Sequence, residues 1–165
     1  MRKQQKGFSL IELLIVVAII LIIAAIAIPN LMRARMAAND SSAAASERTI
    51  VTGEIGYFAA YPTVGFALLP ALGGVAPCTP LVATGCLIDN NLASNGAGLG
   101  KSGYNFVVGV PTTTQFFTTA APLTSSSGTK SFCAFDDGVV RAAAPGVITA
   151  VASYATCQAL LPLAN

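Results

Sequence analysis

The sequence predicts an α+β fold in which a long, kinked N-terminal α-helix packs on a small antiparallel β-sheet. Three observations carry that expectation. An apolar run from Phe8 to Ile28 leads into an alanine-rich stretch that meets no proline between residues 31 and 61. A segment broken by prolines 62, 70, 77 and 80 follows. Short β-type runs, with a hairpin turn signal between two of them, then occupy the C-terminal part. Helix first and strands after is the pattern of a sheet laid on one helix face.

The first element is a basic head, MRKQQKG, and then 21 residues (8–28) interrupted only by Ser9 and Glu12. About 20 apolar residues suffice to cross a bilayer core as a helix. Arg2, Lys3 and Lys6 keep such an N-terminus cytoplasmic. A secretory signal is cut after its apolar core at a small-x-small site, and its core is shorter. Here the small residue, Gly7, precedes the core. Cleavage after it would leave the helix attached and expose a new α-amino group on Phe8. Glu12 is the discordant residue: a carboxylate at that depth costs roughly 2.5–3.5 kcal/mol on insertion scales and calls for a partner.

Lys6-Gly7-Phe8-Ser9-Leu10-Ile11-Glu12 resembles the class III leader site of the type IV pilins, and the likeness continues to Pro29, covering roughly residues 6 to 35. The resemblance implies the type IV pilin fold. It implies cleavage between Gly7 and Phe8 by a membrane-embedded prepilin peptidase, and N-methylation of Phe8. The chain would wait in the inner membrane and then join an extracellular filament, a helical homopolymer built by a pilus assembly machinery. Phe8, Glu12 and Pro29 are the assembly residues in that scheme. Glu12 would pair with the α-amino group of a neighbouring subunit's Phe8, because pairing offsets the cost of burying each charge. Many relatives carry a glycine midway along the apolar helix and lose helical structure from there to the proline on assembly. This chain has Leu21 instead, which implies less melting.

On this reading residues 1–7 are a cleaved leader, 8–29 a membrane and filament-core helix, 30–61 the outer half of the helix, and 62–165 a β-domain with disulfide-stapled loops. Pro29 removes the hydrogen bond to the Ala25 carbonyl, so a kink is expected there. A helix from Phe8 to Tyr61 would run for roughly 80 Å. Ile50, Glu54, Tyr57, Phe58 and Tyr61 mark its sheet-facing side, Gly53 and Gly56 weaken it, and Pro62 ends it. Residues 62 to 103 read as loop. Strands are expected at about Tyr104–Val110, Gln115–Thr119, Lys130–Phe135 and Val139–Ala143, with Asp136-Asp137-Gly138 as a hairpin turn. The hydroxyl-rich stretches Thr112–Thr114, Thr118–Thr119 and Thr124–Ser127 suit exposed strands and loops.

Composition fits an exported subunit. Hydrophobic residues are 54% and charged ones 10% of the 165 residues, against about 25% charged in ordinary soluble domains. The net charge of +2 belongs largely to the head: nine basic side chains less those three leave six against seven acidic ones. Cys78, Cys86, Cys133 and Cys157 all follow the membrane segment, on the exported side where disulfides persist. Four cysteines allow three pairings. Joining nearest neighbours in sequence, Cys78–Cys86 and Cys133–Cys157, is favoured, and the second would staple the C-terminus to the sheet as the C-terminal disulfide of type IV pilins does.

Other chemistries fall away. The chain has no histidine, and no serine or cysteine has an evident activating neighbour, so no enzyme and no cofactor is implied. Zinc would want C-x2-C spacing, which is absent. Gly98-Leu99-Gly100-Lys101-Ser102-Gly103 matches a phosphate-loop pattern, but a strand-like run follows it where a helix is required. Asp136 and Asp137 alone fall short of calcium's about 6–8 oxygens, so turn chemistry is preferred. Lys101, Lys130 and Arg141 are too scattered for a nucleic-acid patch. No aromatic lies between Phe8 and Tyr57, which weakens an electron-conducting role. Asn39-Asp40-Ser41 is a sequon inside a helix and is read as chance. Two alternatives to a major pilin remain: the major pseudopilin of a type II secretion system, and a minor pilin with an adhesin or DNA-binding role. Adhesion, twitching motility, DNA uptake and secretion are not distinguished.

Overall fold

A computed structural model of the chain describes residues 8–109 and 112–163. Its elements are α1 (Leu10–Ala60), α2 (Leu69–Leu72), α3 (Asn90–Ala93), a 3-10 turn (Gly96–Gly98), β1 (Tyr104–Gly109), β2 (Phe117–Pro122), β3 (Phe132–Phe135), β4 (Arg141–Ala142) and α4 (Tyr154–Gln158). The chain forms two compact units that divide between Arg35 and Met36, inside α1. Within the first unit α1 continues through Pro29, and residues Leu21 to Pro29 are helical.

In the second unit, α1 buries Asp40, Ala43, Ala44, Glu47, Ile50, Val51, Glu54 and Tyr57, a stripe at three- and four-residue spacing. Gly53 belongs to the same face for a steric reason. A Cβ there would sit 2.8 Å from Ile88 Cγ2, so glycine lets the segment after Gly85 lie against the helix.

The sheet is a meander, ordered β1-β2-β3-β4 and antiparallel throughout. Its register explains its burial. Phe106, Ala120 and Phe132 are cross-strand partners, as are Val108, Thr118 and Ala134, and these rows face the core shared with Ile50 and Tyr57. The alternate row, with Thr119 opposite Cys133, faces a second cluster of Phe135, Val151 and Cys157. The C-terminal segment therefore covers the sheet face that α1 leaves open. Val151 N–H donates to Thr119 Oγ1 at 3.2 Å, and the Cys133–Cys157 disulfide ties α4 to β3.

This two-sided cover corrects the expectation that Thr118 and Thr119 are exposed: they are buried, because neither face of β2 meets water. β3 and β4 are shorter than expected, β4 markedly so, and β2 runs from Phe117 to Pro122 rather than from Gln115 to Thr119. Val110 lies outside the described residues. The stretch from 62 to 103 holds two single-turn helices and a 3-10 turn besides loop. Asp89 caps α3 by accepting from Leu92 N–H at 2.9 Å, and Pro70 sits at the start of α2.

Candidate functional site

The N-terminal segment carries the candidate site. Ser9 precedes α1, and Ser9 N–H donates to Glu12 Oε2 at 3.0 Å. That contact is half of a capping box, Ser-x-x-Glu, in which the acid satisfies a backbone donor that the first helical turn leaves free. The negative charge also lies at the positive end of the helix dipole. Phe8 is 81% exposed, and the fourteen Leu, Ile and Val side chains between residues 10 and 28 are all exposed. A stretch of this helix has a mean hydropathy of 3.3 and no buried residue. Burying those fourteen side chains is worth on the order of 20–40 kcal/mol at about 1.5–3 kcal/mol each. By length and composition the helix can cross a membrane. The structure thus brings Phe8, Ser9 and Glu12 together at one end of the apolar segment, with Pro29 at the other. Gly7 lies outside the described residues.

The remaining sites expected from sequence lie in the second unit. Cys78 bonds to Cys86 and Cys133 to Cys157, and the described residues contain no free cysteine. Asp137 does not present its oxygens to a cation. They accept Arg141 Nη1 at 3.1 Å, Arg141 Nη2 at 2.6 Å and Val139 N–H at 3.0 Å. Partial desolvation pushes its carboxyl up, but the guanidinium and the Val139 amide outweigh that and hold it below the usual range. Arg141 in turn stacks over Phe135, with Cζ 4.2 Å from the ring centre. Lys101 is engaged with Asp89 at 3.2 Å. Among the described residues no three His, Cys, Asp or Glu side chains cluster as a metal site.

Sequence reasoning missed the sequon's structural role. Asn39 Nδ2 donates to the Ser127 carbonyl at 2.7 Å, and Asp40 is buried. Asp40 Oδ1 accepts the Tyr104 hydroxyl at 2.5 Å and Thr129 N–H at 3.0 Å, while Oδ2 accepts the Thr129 hydroxyl. Gly128 makes room for this knot, since a Cβ there would collide with the Tyr104 hydroxyl and Asp40 Oδ1. The signal was available: Asp40, Glu47 and Glu54 recur every seven residues, in phase with Ile50 and Tyr57.

Comparison with known proteins bears on the N-terminal segment. Residues 2–28 match the prokaryotic N-terminal methylation motif. A stretch of 39 residues is 64% identical to the type IV wide pilus major component PilA4 of Thermus thermophilus. The matched stretch covers 24% of this chain and spans 30% of the length of that relative. The class so defined is that of proteins carrying an N-terminal methylation motif on an apolar helix. These matches place the likeness to type IV pilins in the N-terminal segment, and the rest of the chain has a helix-plus-antiparallel-sheet layout consistent with the type IV pilin fold.

Proposed function

We propose that this chain is the structural subunit of a type IV pilus filament, made as a precursor held in the inner membrane and then assembled outside the cell. The observation that carries the reading is the apolar helix from Leu10 to Ile28, whose Leu, Ile and Val side chains are all exposed, broken by one ordered carboxylate at its N-terminal end. Lipid satisfies that surface before assembly, and the helices of other copies satisfy it afterwards. Cleavage between Gly7 and Phe8 by prepilin peptidase removes the basic head and creates a cationic α-amino group, which is then methylated. That cation and a neighbour's Glu12 are complementary charges in a low-dielectric bundle, where an unpaired partner is costly. Their pairing sets the axial register, and close packing of Ile, Leu and Ala supplies the association. The capping contact with Ser9 leaves Glu12 Oε1 without a partner among the described residues, so the carboxylate can serve the neighbour while holding its own helix start. With Leu21 in place of a mid-helix glycine, the segment from Leu21 to Pro29 melts less on assembly than in relatives that carry that glycine.

Glu12→Gln tests the reading. It keeps an acceptor for Ser9 N–H and removes the charge. Membrane-bound protein of normal abundance with few or no filaments in the sheared surface fraction is expected. Filaments at wild-type yield would contradict the pairing.

A further inference from the structure

Asp40, Glu47 and Glu54 lie one heptad apart on the buried face of α1, and each meets a different part of the domain. Asp40 is fully bonded, as described above. Glu54 is half satisfied: Oε2 accepts Ala67 N–H at 3.0 Å, and Oε1 has no partner. Glu47 is the extreme case. Both of its carboxyl oxygens, and the Oγ1 of Thr118, are buried without a hydrogen-bond partner. Glu47 and Glu54 are each 0% exposed.

Among the described residues, no cation is seen to pair with Glu47 or Glu54. β1, β2 and β3 read YNFVVG, FTTAAP and FCAF, without a charged side chain. Arg141 of β4 is committed to Asp137, and Lys101, just before β1, to Asp89. Tyr104 of β1 is bound to Asp40, and Tyr57, beside Glu54 on α1, donates to the Val82 carbonyl at 2.6 Å. Tyr61 packs on Tyr57. Arg48, next in sequence to Glu47, lines a surface groove with Thr49, Thr52 and Leu87. Burial is the dominant influence on Glu47, opposed in part by the nearby Thr118 hydroxyl.

A carboxylate in such a place has neither solvent nor counter-charge, whereas a neutral carboxylic acid loses little by burial. We propose that Glu47 and Glu54 are protonated while the sheet is docked on α1, and that their ionisation is a built-in alkaline release of the sheet and the Ala67 segment from the helix. Hydrating either carboxylate requires β2 or residues 66–67 to move off α1. Burial pushes Glu47 up to about 8 from an ordinary 4.5, and pushes Glu54 up to about 7 against the opposing Ala67 N–H. The sign follows. Between about 4.5 and these values the folded chain holds protons that the unfolded chain has released, so stability falls as pH rises. Each carboxyl makes the unfolding equilibrium constant rise by up to about tenfold per pH unit, and the effect levels off once both have ionised.

The test uses the full chain in a non-denaturing detergent. Urea unfolding of the domain is followed by near-ultraviolet circular dichroism from about pH 5 to about pH 9 for wild type, Glu47→Gln, Glu54→Gln and the double variant. Wild-type stability should fall steeply with pH. Each single variant should lose up to about tenfold per pH unit of that slope, and the double variant should be nearly flat. Infrared spectroscopy of the folded chain gives a second readout that needs no variant to fold. A protonated-carboxyl band should be present at near-neutral pH and vanish on alkaline titration. Where the variants fold, each should remove part of it. A wild-type slope equal to that of the double variant, or no protonated-carboxyl band at near-neutral pH, would overturn the proposal. Both carboxyls lie outside the apolar segment, so filament assembly and this titration fail independently.

Discussion

Replacing Asp40 with alanine removes the acceptor that joins α1 to the start of β1 and to the loop before β3. Three donors converge on it: the Tyr104 hydroxyl, Thr129 N–H and the Thr129 hydroxyl. Their losses are unequal. The Tyr104 hydroxyl keeps the Lys130 carbonyl at 2.9 Å, so it is not stranded. Thr129 is only half-buried, and its hydroxyl can turn to water, but its N–H is left facing the cavity of the deleted carboxylate. One stranded buried donor costs about 1–3 kcal/mol, and a lost bond to a charged acceptor about 1.5–3 kcal/mol. Because these costs overlap, Asp40→Ala should destabilise the domain by about 3 kcal/mol. Asp40→Asn keeps the shape and an acceptor oxygen and should cost about half as much. Urea unfolding of the full chain in detergent, read by near-ultraviolet circular dichroism, measures both. In a double-mutant cycle with Tyr104→Phe the coupling should be about 1 kcal/mol, since the two groups share a bond. A loss below about 0.5 kcal/mol for Asp40→Ala, typical of an inert surface site, would refute the anchoring role.

Two further outcomes follow from the packing. Breaking Cys133–Cys157, which spans 24 residues and ties α4 to β3, should cost about 3 kcal/mol on the chain-entropy account, somewhat more than breaking Cys78–Cys86, which spans 8. Urea midpoints of the Cys→Ala pairs compare them, and equal losses with α4 still ordered would contradict the clamp. Gly53→Val should destabilise by about 1–3 kcal/mol because Ile88 stands where its Cβ would go, whereas Gly56→Ala, with 3.4 Å to Leu87 Cδ2, should gain up to about 1 kcal/mol of helix propensity. Thermal unfolding of the two variants in opposite directions is the expected result.

The apolar run, the N-terminal methylation motif and the single acid were legible because each is a local pattern with a length or charge requirement of its own. The Asp136-Asp137-Gly138 turn was legible for the same reason, with Gly138 at φ +77°. What the sequence concealed depends on distant partners. Thr118 and Thr119 look like surface hydroxyls until α1 covers one face of β2 and the segment around Val151, which has no periodicity of its own, covers the other. α2 and α3 are single turns, too short for a periodic signal, though Pro70 and Asp89 mark their starts. Glu54 falls on the expected sheet-facing side, but the acids at 40 and 47, in the same phase, read as polar punctuation of a helix. Only the in-phase placement of Ile50 and Tyr57 shows that they point inward.

Intact-mass spectrometry of filaments sheared from native cells tests the central claim most directly. The account predicts a chain beginning at Phe8, heavier by one methyl group and lighter by four hydrogens, reporting cleavage, methylation and two disulfides in one filament-borne species. A chain still beginning at Met1, or absence of the protein from the sheared fraction, would contradict it.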